Sequence, residues 1–318
     1  MALHVVIMAA GKGTRMKSKV PKVLHRLGGR PLLQHVLDTS AALGADRTLV
    51  ITGHGAQAVE AASAGATCVR QEPQLGTGHA IQQVVPHLDD DESTVLILNG
   101  DVPLIREDTV RRLAQACGGH QLALLTIELA DPTGYGRIVR DAAGAVRGIV
   151  EHKDASPQQR AIREIYTGIM AAPARALRRW VMALTNDNAQ REYYLTDIVA
   201  MAVADGVPVV AATVADETEV LGVNSPLQLA DLERRLQRRQ AEALLEAGVR
   251  LADPARFDLR GTLRCGQDVE IDVGCVFEGE VVLGDEVRIG PHCVIRDARI
   301  EAGAVIHAFT HIEGATVG

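Results

Sequence analysis

The chain has 318 residues, with 33 Lys and Arg against 40 Asp and Glu, a formal net charge of −7, and 47% hydrophobic but only 3% aromatic residues. That much aliphatic material excludes a disordered chain. The acidic balance argues against a protein that grips nucleic acid by its phosphates, and so few aromatics leave no platform for stacking bases.

The first ten residues are apolar but carry no basic lead and no small-residue cleavage site, so they read as a first strand and not a signal peptide. Residues 5–9, 48–52, 94–98, 122–128 and 207–214 are short aliphatic runs separated by longer amphipathic stretches. Continuous apolar runs bounded by Gly, Asp and Asn predict buried strands of a doubly wound, mainly parallel α/β sheet of Rossmann-like plan. Ser225, Pro226 and Gln228 then supply the N-cap, N1 and N3 signals of a helix start, and apolar positions from Leu227 to Leu245 carry the helix to Gly248. At 1.5 Å per residue, about 22 residues make an arm roughly 33 Å long. Beyond it Ile271, Phe277, Leu283, Ile289 and Ile295 recur every six residues, and after a slip of one the series continues with Ile300, Ile306 and Ile312. Val281, Val287, Cys293 and Ala304 fill the position four on. A hexapeptide period is the pattern of a parallel β-helix. The expected organisation is a nucleotide-handling domain over 1–224, a helical linker over 225–248 and a partial β-helix over 249–318. No run of about 18 apolar residues predicts a membrane span. The five cysteines, widely spaced and without a C-x-x-C pair, fit free thiols in a reducing cytoplasm better than zinc or disulfides.

Residues 9–16 (AAGKGTRM) follow the first strand. Glycines there let backbone N–H groups approach a phosphate, although neither the P-loop spacing nor a full G-x-G-x-x-G is present, and a plain strand-to-helix turn remains open. Lys12, Arg15, Lys17, Lys19 and Lys22 lie together with no acid among them, a basic segment suited to a polyphosphate in an otherwise acidic chain. Asp101 directly follows the 94–98 run, where the carboxyl ends of parallel strands gather ligands, and could hold Mg²⁺ against phosphate oxygens or simply form a turn before Pro103. Residues 76–79 read as a second backbone loop or a helix N-terminus, residues 133–137 as a binding or hairpin turn, and residues 151–154 as a site or a charged bend.

Together with Pro21 and Lys22, the 9–16 segment resembles the signature of sugar-1-phosphate nucleotidyltransferases. The segments QLGTGHA (74–80), GDVPL (100–104), DPTGYGRI (131–138), VEHKD (150–154), NAQREYYLTD (188–197) and DPARFDLRG (253–261), with the hexapeptide tail, are similar to one bacterial bifunctional family. That family pairs N-acetylglucosamine-1-phosphate uridyltransferase with glucosamine-1-phosphate N-acetyltransferase. The resemblance implies a nucleotide-diphospho-sugar transferase fold, a left-handed β-helix, and the joining of UTP to N-acetylglucosamine 1-phosphate with loss of pyrophosphate. It implies that Met8, Ala9, Ala10, Gly11, Gln71, Gly76 and Thr77 line the uridine pocket. Arg15 would hold the leaving pyrophosphate and Lys22 the transferred phosphate, with Asn99 and Gly100 beside Asp101. Asp101 and Asn224 would ligate Mg²⁺, and Gly136, Glu151 and Tyr166 would meet the sugar. Two positions depart from the family pattern: Tyr166 stands where Asn usually meets the sugar, and Asn99 where some relatives carry an aromatic. A cytoplasmic homotrimer built through the β-helix is implied, with no nucleic-acid or membrane partner. The acetyl-CoA site belongs to later coils than Gly318, so the expectation is uridyl transfer without acetyl transfer. A glucose 1-phosphate pyrophosphorylase and a non-catalytic solenoid scaffold are the competing readings.

Overall fold

The computed structural model describes residues 2–318. The chain divides into two compact units, one from Met1–Leu24 with Leu32–Asn224 and the other from His25–Pro31 with Ser225–Gly318.

In chain order the elements are β1 (Leu3–Met8), the short strands β2 (Arg26–Leu27) and β3 (Arg30–Pro31), α1 (Leu32–Ala42), β4 (Arg47–Thr52), α2 (Ala56–Ala61), β5 (Thr67–Arg70) and α3 (Thr77–Val84). There follow β6 (Thr94–Asn99), α4 (Glu107–Cys117), β7 (Leu122–Glu128), β8 (Arg137–Arg140), β9 (Val146–Val150), α5 (Pro157–Arg160), β10 (Glu164–Pro173), α6 (Ala174–Met182), α7 (Ile198–Ala204) and β11 (Val209–Thr213). The sheet of the first unit runs β11-β7-β10-β6-β1-β4-β5, with β8 and β9 attached beside β10. Along the β11-to-β5 path neighbours pair in parallel except at β10, which is antiparallel to both β7 and β6; the attached β8 is antiparallel to β10 and to β9.

The central strands are apolar along their length because both faces are covered. Alternation divides them between two cores. Val6, Leu49, Ile51, Val95 and Ile97 face Ile81 of α3, Leu177 and Trp180 of α6 and Ile198 of α7. Val5, Ile7, Val50, Leu96 and Leu98 face Leu33 and Val36 of α1 and Val110 and Leu113 of α4. Strand β10 is not among the runs singled out in the sequence, and both its presence in the middle of the sheet and its reversed direction are findings of the structure. Its register breaks between Tyr166 and Met170. Gly168 lies in that break at φ +87°, where a Cβ would come 2.2 Å from Asn99 Nδ2.

In the second unit α8 (Pro226–Glu246) starts as the sequence indicates, with Ser225 Oγ accepting from the Gln228 amide at 3.3 Å. Its buried Gln237 donates to Leu259 O and accepts from Leu259 N, at 2.9 and 2.7 Å. The β2–β3 turn, inside the 1–224 span by sequence, belongs to this unit: the Gly28 amide donates to Glu233 Oε2 at 2.8 Å.

The solenoid strands are β12 (Arg250–Leu251), β13 (Phe257–Cys265), β14 (Glu270–Ile271), β15 (Cys275–Leu283), β16 (Arg288–Ile289), β17 (Val294–Ile300), β18 (Val305–Ile306), β19 (His311–Glu313) and β20 (Thr316–Val317). They form parallel ladders β12-β14-β16-β18 and β13-β15-β17-β19. All eight hexapeptide aliphatics, from Ile271 to Ile312, are at most 9% exposed. The slip in the series has a structural cause. Glu278 pairs with Arg296 and Val281 with Ala298, so Gly279 and Glu280 together stand opposite the single residue Asp297. The later coil turns its corner with one residue fewer. All five cysteines are unpaired. Burial pushes the Cys275 thiol up to about 11. Among the described residues no helix is long and apolar enough to cross a membrane.

Candidate active site

The parallel pairing of β1 with β6 and β4 brings their C-terminal ends together. Beyond these ends opens a cleft of about 680 Å³. The chain leaves β1 through Ala9 and Ala10, tied back to the sheet by the Ala9 amide on Ile51 O at 2.9 Å. Gly13 then turns at φ +59°, where a Cβ would lie 2.7 Å from Lys22 Cβ, so the loop closes directly onto Lys22.

Lys22 Nζ lies 2.5 Å from Asp101 Oδ2 and 3.1 Å from Asn224 Oδ1. Asp101 follows β6, and its carbonyl accepts from the Val223 amide at 2.9 Å, which fixes the segment that carries Asn224. A carboxylate oxygen and an amide oxygen from separate loops thus converge on one positive charge. Hard oxygen donors of this kind suit a divalent cation that keeps its remaining ligands as water and phosphate. Among the described residues no group of three His, Cys, Asp or Glu side chains is placed to hold a metal.

On the opposite wall Gln71 is 3% exposed, and its amide nitrogen reaches Gly76 O at 2.9 Å and His79 Nδ1 at 3.2 Å. Gly76 caps α3 at φ +110°; a side chain there would meet Tyr193 O at 2.6 Å. Thr77 Oγ1 accepts from the Leu195 amide at 3.0 Å, and the Gly78 amide donates to Tyr193 O at 2.7 Å. The start of α3 is therefore pinned to the 188–197 segment.

A third group lies beside β8, β9 and β10. Gly136 O accepts from the Tyr166 amide at 2.9 Å. A Cβ on Gly136 would stand 3.6 and 3.7 Å from the two Glu151 carboxylate oxygens. Glu151 accepts from Thr196 Oγ1 at 3.0 Å, yet burial pushes its carboxyl up, helped by the nearby Asp197, Asp154 and Glu192. The Tyr166 ring is part of the core, its hydroxyl has no hydrogen-bond partner among the described residues, and burial raises its phenol well above the ordinary value.

Of the residues singled out by sequence, Met8, Ala9, Ala10, Gly11, Lys22, Gln71, Gly76, Thr77, Asn99, Asp101 and Asn224 line the cleft. Gly100 is buried behind it, its amide on Met8 O at 3.0 Å. Arg15 is exposed on the turn Thr14–Met16 and does not form the cleft wall. Gly136, Glu151 and Tyr166 form their own group and do not line it either. Lys12, which the sequence placed only in the basic segment, is on the cleft wall, and sequence reasoning assigned no site role to Gln74, Gly134 and Glu192, also on that wall, or to Thr196, which holds Glu151. Each lies inside a motif segment, and that was the available signal.

Residues 5–148 match the MobA-like NTP transferase domain and residues 264–297 the bacterial transferase hexapeptide (six repeats). The chain is 74% identical to the bifunctional protein GlmU of Methylibium petroleiphilum, over 99% of this chain and 70% of that one. It is 66% identical to that of Paracidovorax citrulli, over 98% and 69%, and 58% identical to that of Bordetella petrii, over 99% and 70%. Among solved structures it resembles a nucleotidyl transferase from Methanothermobacter thermautotroptrophicus, with a TM-score of 0.52 and 23% identity over 75% of this chain and 99% of that one, a likeness of fold.

Proposed function

The chain belongs to the bifunctional GlmU family and as such is a sugar-1-phosphate uridylyltransferase that forms UDP-N-acetylglucosamine; we propose the following division of that work among its residues. A phosphate oxygen of N-acetylglucosamine 1-phosphate attacks the α-phosphorus of UTP. The bond from that phosphorus to the bridging oxygen breaks, and pyrophosphate leaves with the electron pair. No protein nucleophile is needed, so the protein contributes placement and charge.

Met8, Ala9, Ala10 and Gly11 take the uridine on one wall, with Gln71, Gly76 and Thr77 on the other. Lys12 and Arg15 meet the outgoing phosphates and Lys22 the transferred one, next to Asn99 and Gly100. Gly136, Glu151 and Tyr166 take the sugar. The family uses a divalent cation, which we assign as Mg²⁺ on Asp101 Oδ2 and Asn224 Oδ1; when bound it neutralises triphosphate charge. We further propose a cytoplasmic homotrimer through the solenoid, with 1–224, apart from the 25–31 turn, 225–248 and 249–318 as its working parts.

The observation that carries this reading is the convergence of Lys22, Asp101 and Asn224 on the wall of a cleft bounded by the glycine-rich loop. The test is pyrophosphate release with UTP, Mg²⁺ and N-acetylglucosamine 1-phosphate, with CTP and glucose 1-phosphate as controls. Asp101→Ala is expected to lose roughly 10²–10³-fold in rate, as for removal of a preorganised electrostatic group. No release with the cognate pair, or full activity in Asp101→Ala, would refute the reading.

A further inference from the structure

Arg137, the first residue of β8, is 1% exposed. Its guanidinium donates to Tyr135 O and lies 3.3 Å from His152 Nδ1 and 3.5 Å from Arg160 O. Its Nε has no hydrogen-bond partner among the described residues. Burial lowers its pKa, the charge of Arg160 adds to the effect and the Asp131 carboxylate partly offsets it.

A buried cation with no hydrogen-bonded carboxylate among the described residues is a costly way to fill a core position, and an apolar side chain of similar size would serve stability better. What a guanidinium adds is geometry. Its five N–H groups form a rigid planar fork that can reach acceptors in several directions, which an ammonium on a flexible stem does not do. Here the acceptors belong to three separate pieces of chain: the turn before β8, the turn after β9 and the end of α5. Gly136 precedes Arg137 and Glu151 precedes His152, so the fork ties together the segments that carry two of the sugar-binding residues.

We propose that Arg137 is the positioning residue of the sugar-phosphate subsite, holding the 131–136 and 151–154 turns at a fixed separation through contacts to backbone oxygens and His152. This rests on the assignment of Gly136 and Glu151 to the sugar made above. Arg137 touches no reacting atom; it sets where those two residues stand. Of the turn it holds, only Gly134 reaches the cleft wall; the β1 loop and the start of α3 make no hydrogen bond to Arg137.

The test uses the full chain with Arg137→Met and Arg137→Lys. KM is measured for N-acetylglucosamine 1-phosphate at saturating UTP and for UTP at saturating sugar phosphate, beside Tm and amide hydrogen exchange. In Arg137→Met the sugar-phosphate KM is expected to rise at least tenfold, with the UTP KM within about twofold. Exchange should speed up in the 131–136 and 151–154 turns and nowhere else, and Arg137→Lys should recover only part of the loss. Two results overturn the proposal: both KM values unchanged, or both rising together with a fall in Tm and faster exchange throughout. If the wild-type chain does not turn over this substrate pair, the functional reading fails, and the exchange measurement still decides whether Arg137 holds the two turns.

Discussion

Replacing Lys22 by Met should make the free protein bind a divalent cation more tightly. In the structure the Lys22 ammonium occupies the point where Asp101 Oδ2 and Asn224 Oδ1 converge, at 2.5 and 3.1 Å. A divalent ion that uses those two oxygens has to displace it. A hydrogen bond to a charged group is worth about 1.5–3 kcal/mol when burial is substantial. The Lys22 and Asp101 side chains are 17% and 16% exposed, so solvent screening trims the figure without abolishing it. About 1–2 kcal/mol remains, or roughly 5- to 30-fold in affinity. Methionine keeps an unbranched side chain of comparable reach and removes the charge. The assay is titration with Mn²⁺ in the absence of nucleotide, followed by the electron paramagnetic resonance of the free ion and by calorimetry. Asp101→Ala serves as the control that should lose the site. An Mn²⁺ affinity in Lys22→Met equal to or weaker than that of the wild type would show that ammonium and cation do not compete for these oxygens.

Burial raises the Glu151 carboxyl, so the folded protein holds that proton more strongly than the unfolded chain does, and stability falls as pH rises through the folded pKa. Glu151→Gln should therefore raise Tm at pH 7.5, with the gain vanishing below about pH 4, where the carboxyl of the unfolded chain is itself protonated. Thermal scans at the two pH values check this, and a gain that persists in acid would contradict it; the same variant should weaken sugar-phosphate binding. Gly168→Ala forces a Cβ within 2.2 Å of Asn99 Nδ2 at φ +87°. A loss of about 1–3 kcal/mol from the backbone conformation alone is expected in urea unfolding, and Asn99→Ala should relieve only the overlap. Phe277, fully buried in the solenoid with its ring 5.7 Å from that of Phe257, should cost about 3–5 kcal/mol when replaced by Ala, measured as loss of the unfolding transition of the second unit.

Much of the fold is legible in the residues. Strands covered on both faces need unbroken aliphatic runs, and the runs at 94–98 and 122–128 turn up as β6 and β7. A stacked coil needs one aliphatic side chain at each inward position, so the period of six, with its slip before Ile300, announced the solenoid and the place where a corner loses a residue. Local chemistry also marked the start of α8, where Ser225 and Pro226 act on their immediate neighbours.

The direction of β10 was not legible, because side-chain alternation is the same whichever way a strand runs. Nor does any local pattern assign the β2–β3 turn to the second unit; its place follows from Gly28 meeting Glu233, residues far apart in the chain. The meeting of Lys22, Asp101 and Asn224 is of the same kind. Lys22 and Asp101 were conspicuous in their own motifs and Asn224 was reached only through the family resemblance, but motifs act over a few residues. Their convergence depends on strand order in the sheet, and strand order is settled by long-range pairing and burial.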